Sequence, residues 1–192
     1  MKRFILASNS KRREDILKRF IEFEKIPSNI FENKEHKDPK ILTMALSYEK
    51  GFDIAKGNRD AIVISADTVC FLNNKIIGKP KDREDAKYIL KSFSNTIHQV
   101  YTGFSIICLD ENIKYTDYEV TDVKFKKLKE DTLESYLDTL DFYDKAGAYG
   151  IQDQGSLLVE YIVGDYENVV GLPISKISDM LFKLFNINIF RR

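Results

Sequence analysis

Ser8-Asn9-Ser10-Lys11-Arg12-Arg13 puts two hydroxyls and three cations into six residues. The apolar run 4–7 precedes it, and Ile16, Leu17 and Phe20 follow at helical spacing. This pattern predicts a buried strand handing over to a helix at 11–20, with Ser8-Asn9-Ser10 supplying N-cap side chains. The first turn of a helix presents free N–H groups and partial positive charge, which together bind anions. Three cations there are unfavourable by roughly a few tenths of a kcal/mol each. Glu14 and Asp15 offset part of that cost, and a bound polyanion would offset the rest. Serine hydroxyls and arginine forks are directional donors to phosphate oxygens. Spacing alone fits a capped helix with a solvated basic turn slightly better, since basic triplets are common on surfaces.

Asp67-Thr68 directly follows the apolar run 61–66. A carboxylate at the C-terminal end of a central strand stands at the ligand-binding edge of a sheet. Such an aspartate binds a hard divalent cation or acts as a general base; it also serves as a simple turn cap. Gly78-Lys79-Pro80 offers close backbone approach and a point charge, but not the GxxxxGK[ST] of a Walker loop, and taken by itself it reads better as a plain turn. In Asp144-Lys145-Ala146-Gly147-Ala148-Tyr149-Gly150-Ile151-Gln152, small residues adjoin a tyrosine and a glutamine. A planar base can approach such a backbone, with the glutamine amide reading its polar edge; a plain glycine-rich loop is the alternative. Gly164-Asp165-Tyr166 and the segment 168–173 read as architectural.

Other chemistries fit poorly. His36 and His98 have no metal-ligand spacing, and a strand-borne His98 reads as structural. No GxSxG elbow occurs. Cys70 and Cys108 lie inside apolar runs without a CxxC pair, which predicts buried reduced thiols. The early apolar stretch is too short for a signal peptide, and no long apolar run predicts a spanning helix; a cytoplasmic setting is expected. Thirty basic and thirty acidic residues cancel. Any anion site must therefore be local, and neither nucleic acid nor an anionic membrane is the expected main partner.

These residues need elements to position them. Asp38-Pro39 starts a helix whose apolar face is predicted from Ile41, Leu42, Ala45, Leu46 and Phe52, with Gly57 at its end. Residues 21–25 alternate as a strand, and 27–37 are irregular. Residues 69–72 and 75–77 flank Asn73-Asn74, a hairpin signal. Asp82 caps a helix to Phe93, with Asp85 placed for a capping box. Long strands at 100–109 and 114–128 follow, the second with a bulge between Tyr118/Val120 and Val123/Phe125. A helix from Asp131 or Thr132 to Leu140 and a strand at 156–163 come next. Pro173 then opens a helix with Ile174, Ile177, Leu181 and Phe185 inward. Strand hairpins mixed with helices predict a mixed α/β (α+β) class in one domain, 1–192.

In this order the segments resemble the Maf family of nucleotide pyrophosphatases over essentially the full length. The family pattern L-A-S-x-S-P-R-R reads here as Leu6-Ala7-Ser8-Asn9-Ser10-Lys11-Arg12-Arg13. Its other elements appear as Ala66-Asp67-Thr68-Val69, Gly78-Lys79-Pro80-Lys81-Asp82, His98-Gln99-Val100-Tyr101-Thr102-Gly103, the segment 144–152 and Val169-Val170-Gly171-Leu172-Pro173. The resemblance implies an elongated mixed sheet flanked by helices, two lobes around a nucleotide-binding cleft, and an inosine-triphosphatase-like architecture. It implies hydrolysis of a nucleoside triphosphate to the monophosphate and pyrophosphate. The Tyr149-Gly150-Ile151-Gln152 form resembles the dTTP and UTP subgroup, which also accepts some modified pyrimidine nucleotides.

By the same resemblance Asp67 is the proton acceptor. Arg13, Thr68 and Gln152 match positions tied to base choice, and Ser8, Arg12, Lys50 and Lys79 match positions around the triphosphate. Glu32 matches an acidic position that shares a divalent metal (Mg²⁺, Mn²⁺ or Co²⁺) with Asp67. A homodimer and a link to cell-division arrest are also implied, the latter with or without catalysis. Three positions depart from the family pattern: Lys11 replaces Pro, Asn95 replaces Gly, and Asp153 replaces Gly after Gln152.

Overall fold

The apolar run at 61–66 does not end at Asp67. It continues as the eleven-residue strand β3 (Ile62–Leu72), which is the spine of a seven-stranded mixed sheet. The computed structural model describes residues 2–190; Met1, Arg191 and Arg192, the ends of the expected 1–192 domain, lie outside the described residues. β1 (Phe4–Leu6) pairs parallel with the start of β3, and β2 (Glu24–Lys25) lies parallel outside β1. β4 (Lys75–Ile77) folds back on the end of β3 through Asn73 and Asn74, whose φ angles of 50° and 58° suit a tight hairpin turn. On the other side run β5 (Ile97–Cys108), β6 (Ile113–Phe125) and β7 (Val159–Val163), each antiparallel to its neighbour.

This topology leaves a notch. On its outer edge β3 pairs with β1 as far as Leu6↔Ile64 and with β4 only from Cys70↔Ile77. Residues 65–69 have no strand partner there, because the chain leaves β1 for α1 (Lys11–Leu17). Asp67 and Thr68 stand in that notch, held from behind by their β5 partners Gly103 and Thr102. Asp67 is thus mid-strand, not at a strand end. The antiparallel ladder supplies the backbone bonds that let two polar residues continue the strand.

One face of the sheet is covered by α2 (Pro39–Gly57), whose N-cap Asp38 accepts from the Lys40 and Ile41 amides. Its buried side is Leu42, Thr43, Leu46, Ser47, Gly51 and Ala55. The predicted apolar face is therefore rotated: Ile41 is exposed, and Ala45 and Phe52 are only half-buried. The cause is a close approach. A Cβ on Gly103 would lie 2.3 Å from the Thr43 carbonyl carbon, so the helix backbone rests on the glycine itself, and Thr43, Ser47, Gly51 and Ala55 face the sheet. Ser65 Oγ donates to the Ser47 carbonyl at 2.6 Å within this contact.

The opposite face carries two apolar cores. Leu6, Leu17, Ile64, Phe104, Ile106 and Leu181 form one, with α1 and α6 (Ile174–Phe185). Leu90, Phe93, Val123, Phe125, Leu137 and Phe142 form the other, with α3 (Arg83–Phe93) and α4 (Glu130–Leu137). Between them lies a buried polar band: Thr102, Thr121 and Asn168, the last on α5 (Tyr166–Val170).

Several expectations shift. No bulge divides β6 opposite β5, whose register is unbroken; the irregularity falls at Lys124/Phe125, against β7. The apolar set changes face because Tyr118 and Val120 pack with Leu42, Leu46 and Tyr101, while Val123 and Phe125 join the second core. Residues 154–158 form a 3₁₀ turn ahead of β7. α1 ends at Leu17, and α4 starts at Glu130 after Lys129. Phe185 is only half-buried. Cys70 and Cys108 are buried free thiols. Among the described residues no helix is long and apolar enough to cross a membrane.

Candidate active site

Alternation along β3 sends Asp67 toward α2 and Thr68 toward the opposite face. Both reach the notch. On the α2 side, the near contact at Gly103 brings Lys50 onto the strand. Its Nζ donates to Asp67 Oδ1 at 2.7 Å and pairs with Glu32 Oε1 at 2.7 Å. Lys50 and Asp67 keep only 14% and 15% of their side-chain surface exposed, so that pair meets with little water around it, whereas Glu32 lies nearer the solvent. Asp67 Oδ2 has no protein partner among the described residues. Burial pushes the Glu32 carboxyl up, but hydrogen bonds from Lys50 and Lys34 outweigh it and hold Glu32 at about 2, below its ordinary 4.5.

On the other face Arg13 fans out from the first turn of α1, which Ser10 caps. Its Nε donates to the Gly171 carbonyl at 2.8 Å, Nη1 to Ser8 Oγ at 3.3 Å and Nη2 to Thr68 Oγ1 at 3.0 Å. Thr68 Oγ1 lies 2.9 Å from Thr102 Oγ1, which donates to the Asn168 carbonyl at 2.9 Å. Arginine only donates and a carbonyl only accepts, so the whole chain of bonds runs one way, from Arg13 to Asn168. Burial lowers the Arg13 pKa; Asp67 and Glu32 oppose that, while neighbouring Arg12 adds to it.

Arg12 points elsewhere. Its guanidinium grips Asp144, Nη1 to Oδ2 at 2.6 Å and Nη2 to the carbonyl at 3.0 Å. Lys11 is turned out of the site toward Glu14 and Asp15, which absorbs the extra cation of that departure from the family pattern. Asn95 takes φ 57°, a left-handed turn that asparagine tolerates better than most residues, so the second departure is absorbed as well.

Of the expected site residues, Ser8, Arg13 and Thr68 form one bonded set, and Glu32, Lys50 and Asp67 another. Arg12 joins the edge through Asp144. Lys79 and Gln152 are exposed and make no direct contact with either set. The Lys79 turn is nonetheless tethered to the segment that Arg12 grips, since Gly147 N donates to the Gly78 carbonyl at 2.9 Å. His98 is structural: buried, stacked on Phe93 with centroids 3.9 Å apart and bonded to Tyr149 at 2.9 Å, its pKa lowered by burial to about 3.

Five contributors went unassigned in the sequence. Thr102 and Gly103 sit in a quoted motif that carries no ionisable group at those positions. Asp144 is separated from Arg12 by 132 positions, beyond any local pattern. Gly171 and Asn168, read as architectural, orient Arg13 through backbone carbonyls that side-chain chemistry does not advertise.

The family described as Maf-like protein matches residues 3–184 of the chain. A dTTP/UTP pyrophosphatase of Clostridioides difficile (strain 630) is 50% identical over 188 residues, covering 97% of this chain and 97% of its own length. One from Thermosipho africanus (strain TCF52B) is 52% identical over 181 residues, covering 94% and 92%. Among solved structures, the Staphylococcus aureus Ham1 protein aligns at a TM-score of 0.48 and 14% identity, over 65% of this chain and 72% of that one.

Proposed function

The chain belongs to the Maf-like protein family, and on that premise we propose that it hydrolyses dTTP and UTP to the nucleoside monophosphate and pyrophosphate. One observation carries the reading at the level of this chain: Asp67 stands in the open notch of β3, one oxygen on Lys50 and the other free. A carboxylate so placed takes a proton from a water aimed at the α-phosphorus. The water oxygen bonds to that phosphorus, the α–β bridging P–O bond breaks, and pyrophosphate leaves. Arg12, Arg13, Ser8, Lys50 and Lys79 supply donors and positive charge around the triphosphate, and gain strength as charge moves onto the leaving group. Arg13, Thr68 and Gln152 select the base.

A divalent cation fits the residues present. Glu32 and Asp67 share one ammonium at 2.7 Å each, an all-oxygen pair that a hard cation can take over from lysine. No group of three potential ligands occurs among the described residues. Two carboxylates suit an ion such as Mg²⁺, which completes its shell with water and substrate phosphates; Mn²⁺ and Co²⁺ are further candidates. When bound, such an ion neutralises phosphate charge. The same reading places the enzyme in the cytoplasm as a homodimer, which light scattering checks for the second part.

Asp67→Asn tests the reading. Pyrophosphate release from dTTP is expected to fall roughly a thousandfold, with the fold intact by circular dichroism. Near-normal turnover would refute the assignment.

A further inference from the structure

Gln152 ends in a carboxamide whose two sides differ in kind, Oε1 accepting and Nε2 donating. In one orientation such a group pairs with the N3–H and a carbonyl of uracil or thymine. Turned over, it pairs with the bare N3 and the amino group of cytosine. A glutamine free to turn serves both bases.

In this chain it is not free. Nε2 donates to Asp153 Oδ2 at 2.8 Å. A carboxylate accepts and never donates, so the nitrogen must be the side that faces it. Oε1 is left without a partner among the described residues. Asp153 is itself anchored. The buried ammonium of Lys145 lies 3.9 Å from Asp153 Oδ2 and also holds Asp141 at 2.6 Å and Asp144 at 3.1 Å. The last is the carboxylate that braces Arg12. The stem of Lys145 passes directly under Gly150, where a Cβ would lie 2.5 Å from Lys145 Cε and 2.9 Å from Asp153 Oδ2. The Asp153 amide donates back to the Gly150 carbonyl at 3.2 Å. The turn 150–153 is therefore shaped around one lysine, with Asp153 fixed on the nitrogen side of Gln152.

We propose that Asp153 is a positioning residue for base selection. It holds the Gln152 amide with its carbonyl outward, so that the site accepts a base presenting N–H at ring position 3 and disfavours one presenting a lone pair there. Cytosine nucleotides are the class disfavoured. This rests on the reading of Gln152 as a base-selecting residue.

The experiment compares kcat/KM for UTP and CTP in the wild type, Asp153→Asn, Asp153→Glu and Gln152→Ala. An asparagine amide can donate as well as accept, so Asp153→Asn releases the flip. Its UTP:CTP ratio is expected to fall about tenfold, the factor carried by one net hydrogen bond, chiefly through faster CTP turnover. Asp153→Glu keeps a carboxylate and should keep most of the ratio. Both positions are exposed, so thermal midpoints should not move; a purely structural role would move them and leave the ratio alone. If Gln152→Ala lowers the ratio and Asp153→Asn does not, the positioning role is overturned while Gln152 remains the base reader. If neither lowers it, Gln152 does not select the base and both statements fall.

Discussion

Asp67 and Thr68 are neighbours in β3 whose side chains leave opposite faces of the sheet, and the two surroundings are built on different principles. Around Asp67 the partners are charges with bonding capacity to spare: a lysine shared between two carboxylates, and an Asp67 oxygen left open. Around Thr68 the partners are locked into one directional series, from Arg13 through two hydroxyls to the Asn168 carbonyl. The first arrangement can exchange a partner for a ligand without breaking the fold. The second loses a buried bond wherever it is interrupted, and so serves better as a frame. A site that needs both a reactive group and a fixed reference can draw them from adjacent residues of one strand, because the strand itself separates them.

The largest effect should come from the exchangeable face. Lys50→Met keeps the length of the side chain and removes the ammonium between Glu32 and Asp67. We expect kcat/KM for dTTP to fall about a hundredfold, the scale on which a preorganised charge acts. Near wild-type turnover would mean that Lys50 only packs α2 against the sheet, and the contrast between the faces would dissolve. On the framing face, Thr102→Val removes a fully buried hydroxyl with little change of shape. It strands the Thr68 hydroxyl and the Asn168 carbonyl, which should cost about 1–3 kcal/mol of stability by urea denaturation. kcat should stay within a few-fold of the wild type. A large kcat loss at unchanged stability would show the threonine series to be part of the chemistry instead.

How much of this was legible depended on the kind of interaction. Asp82, Asp38 and the Asn73-Asn74 hairpin announce local geometry, and each forms as the local rules require. The basic turn was legible as a cluster but not residue by residue. Lys11 and Arg12 are adjacent cations, yet one pairs within its own helix at i+3 and i+4 while the other reaches Asp144. Glu14 and Asp15 at that spacing are the signal that sets Lys11 apart. Asp67 looked like a strand end because its polar neighbours broke an apolar run. A strand that crosses a buried polar band carries the same pattern, and only its cross-strand partners distinguish the two. Gly103 shows the limit most plainly: it matters for what passes over it, the backbone of α2, and no property of the residue names that neighbour.

The smallest expected effect is the sharpest test of the exchangeable face, because it concerns stability rather than turnover. Glu32 titrates near 2 in the folded protein against an ordinary 4.5. A depressed carboxylate stabilises the fold fully above its unfolded value, and the contribution fades as pH falls through the folded one. Wild type and Glu32→Gln should therefore differ most in urea midpoint above about pH 4.5, and converge as pH approaches about 2. The gap should be small, since Glu32 sits on the irregular segment before α2 and keeps 33% of its side-chain surface exposed. A gap that persists unchanged to pH 2 would show that Glu32 holds its segment by something other than its charge. A gap that closes on schedule ties that segment to Lys50 by an ion pair that a bound cation can replace.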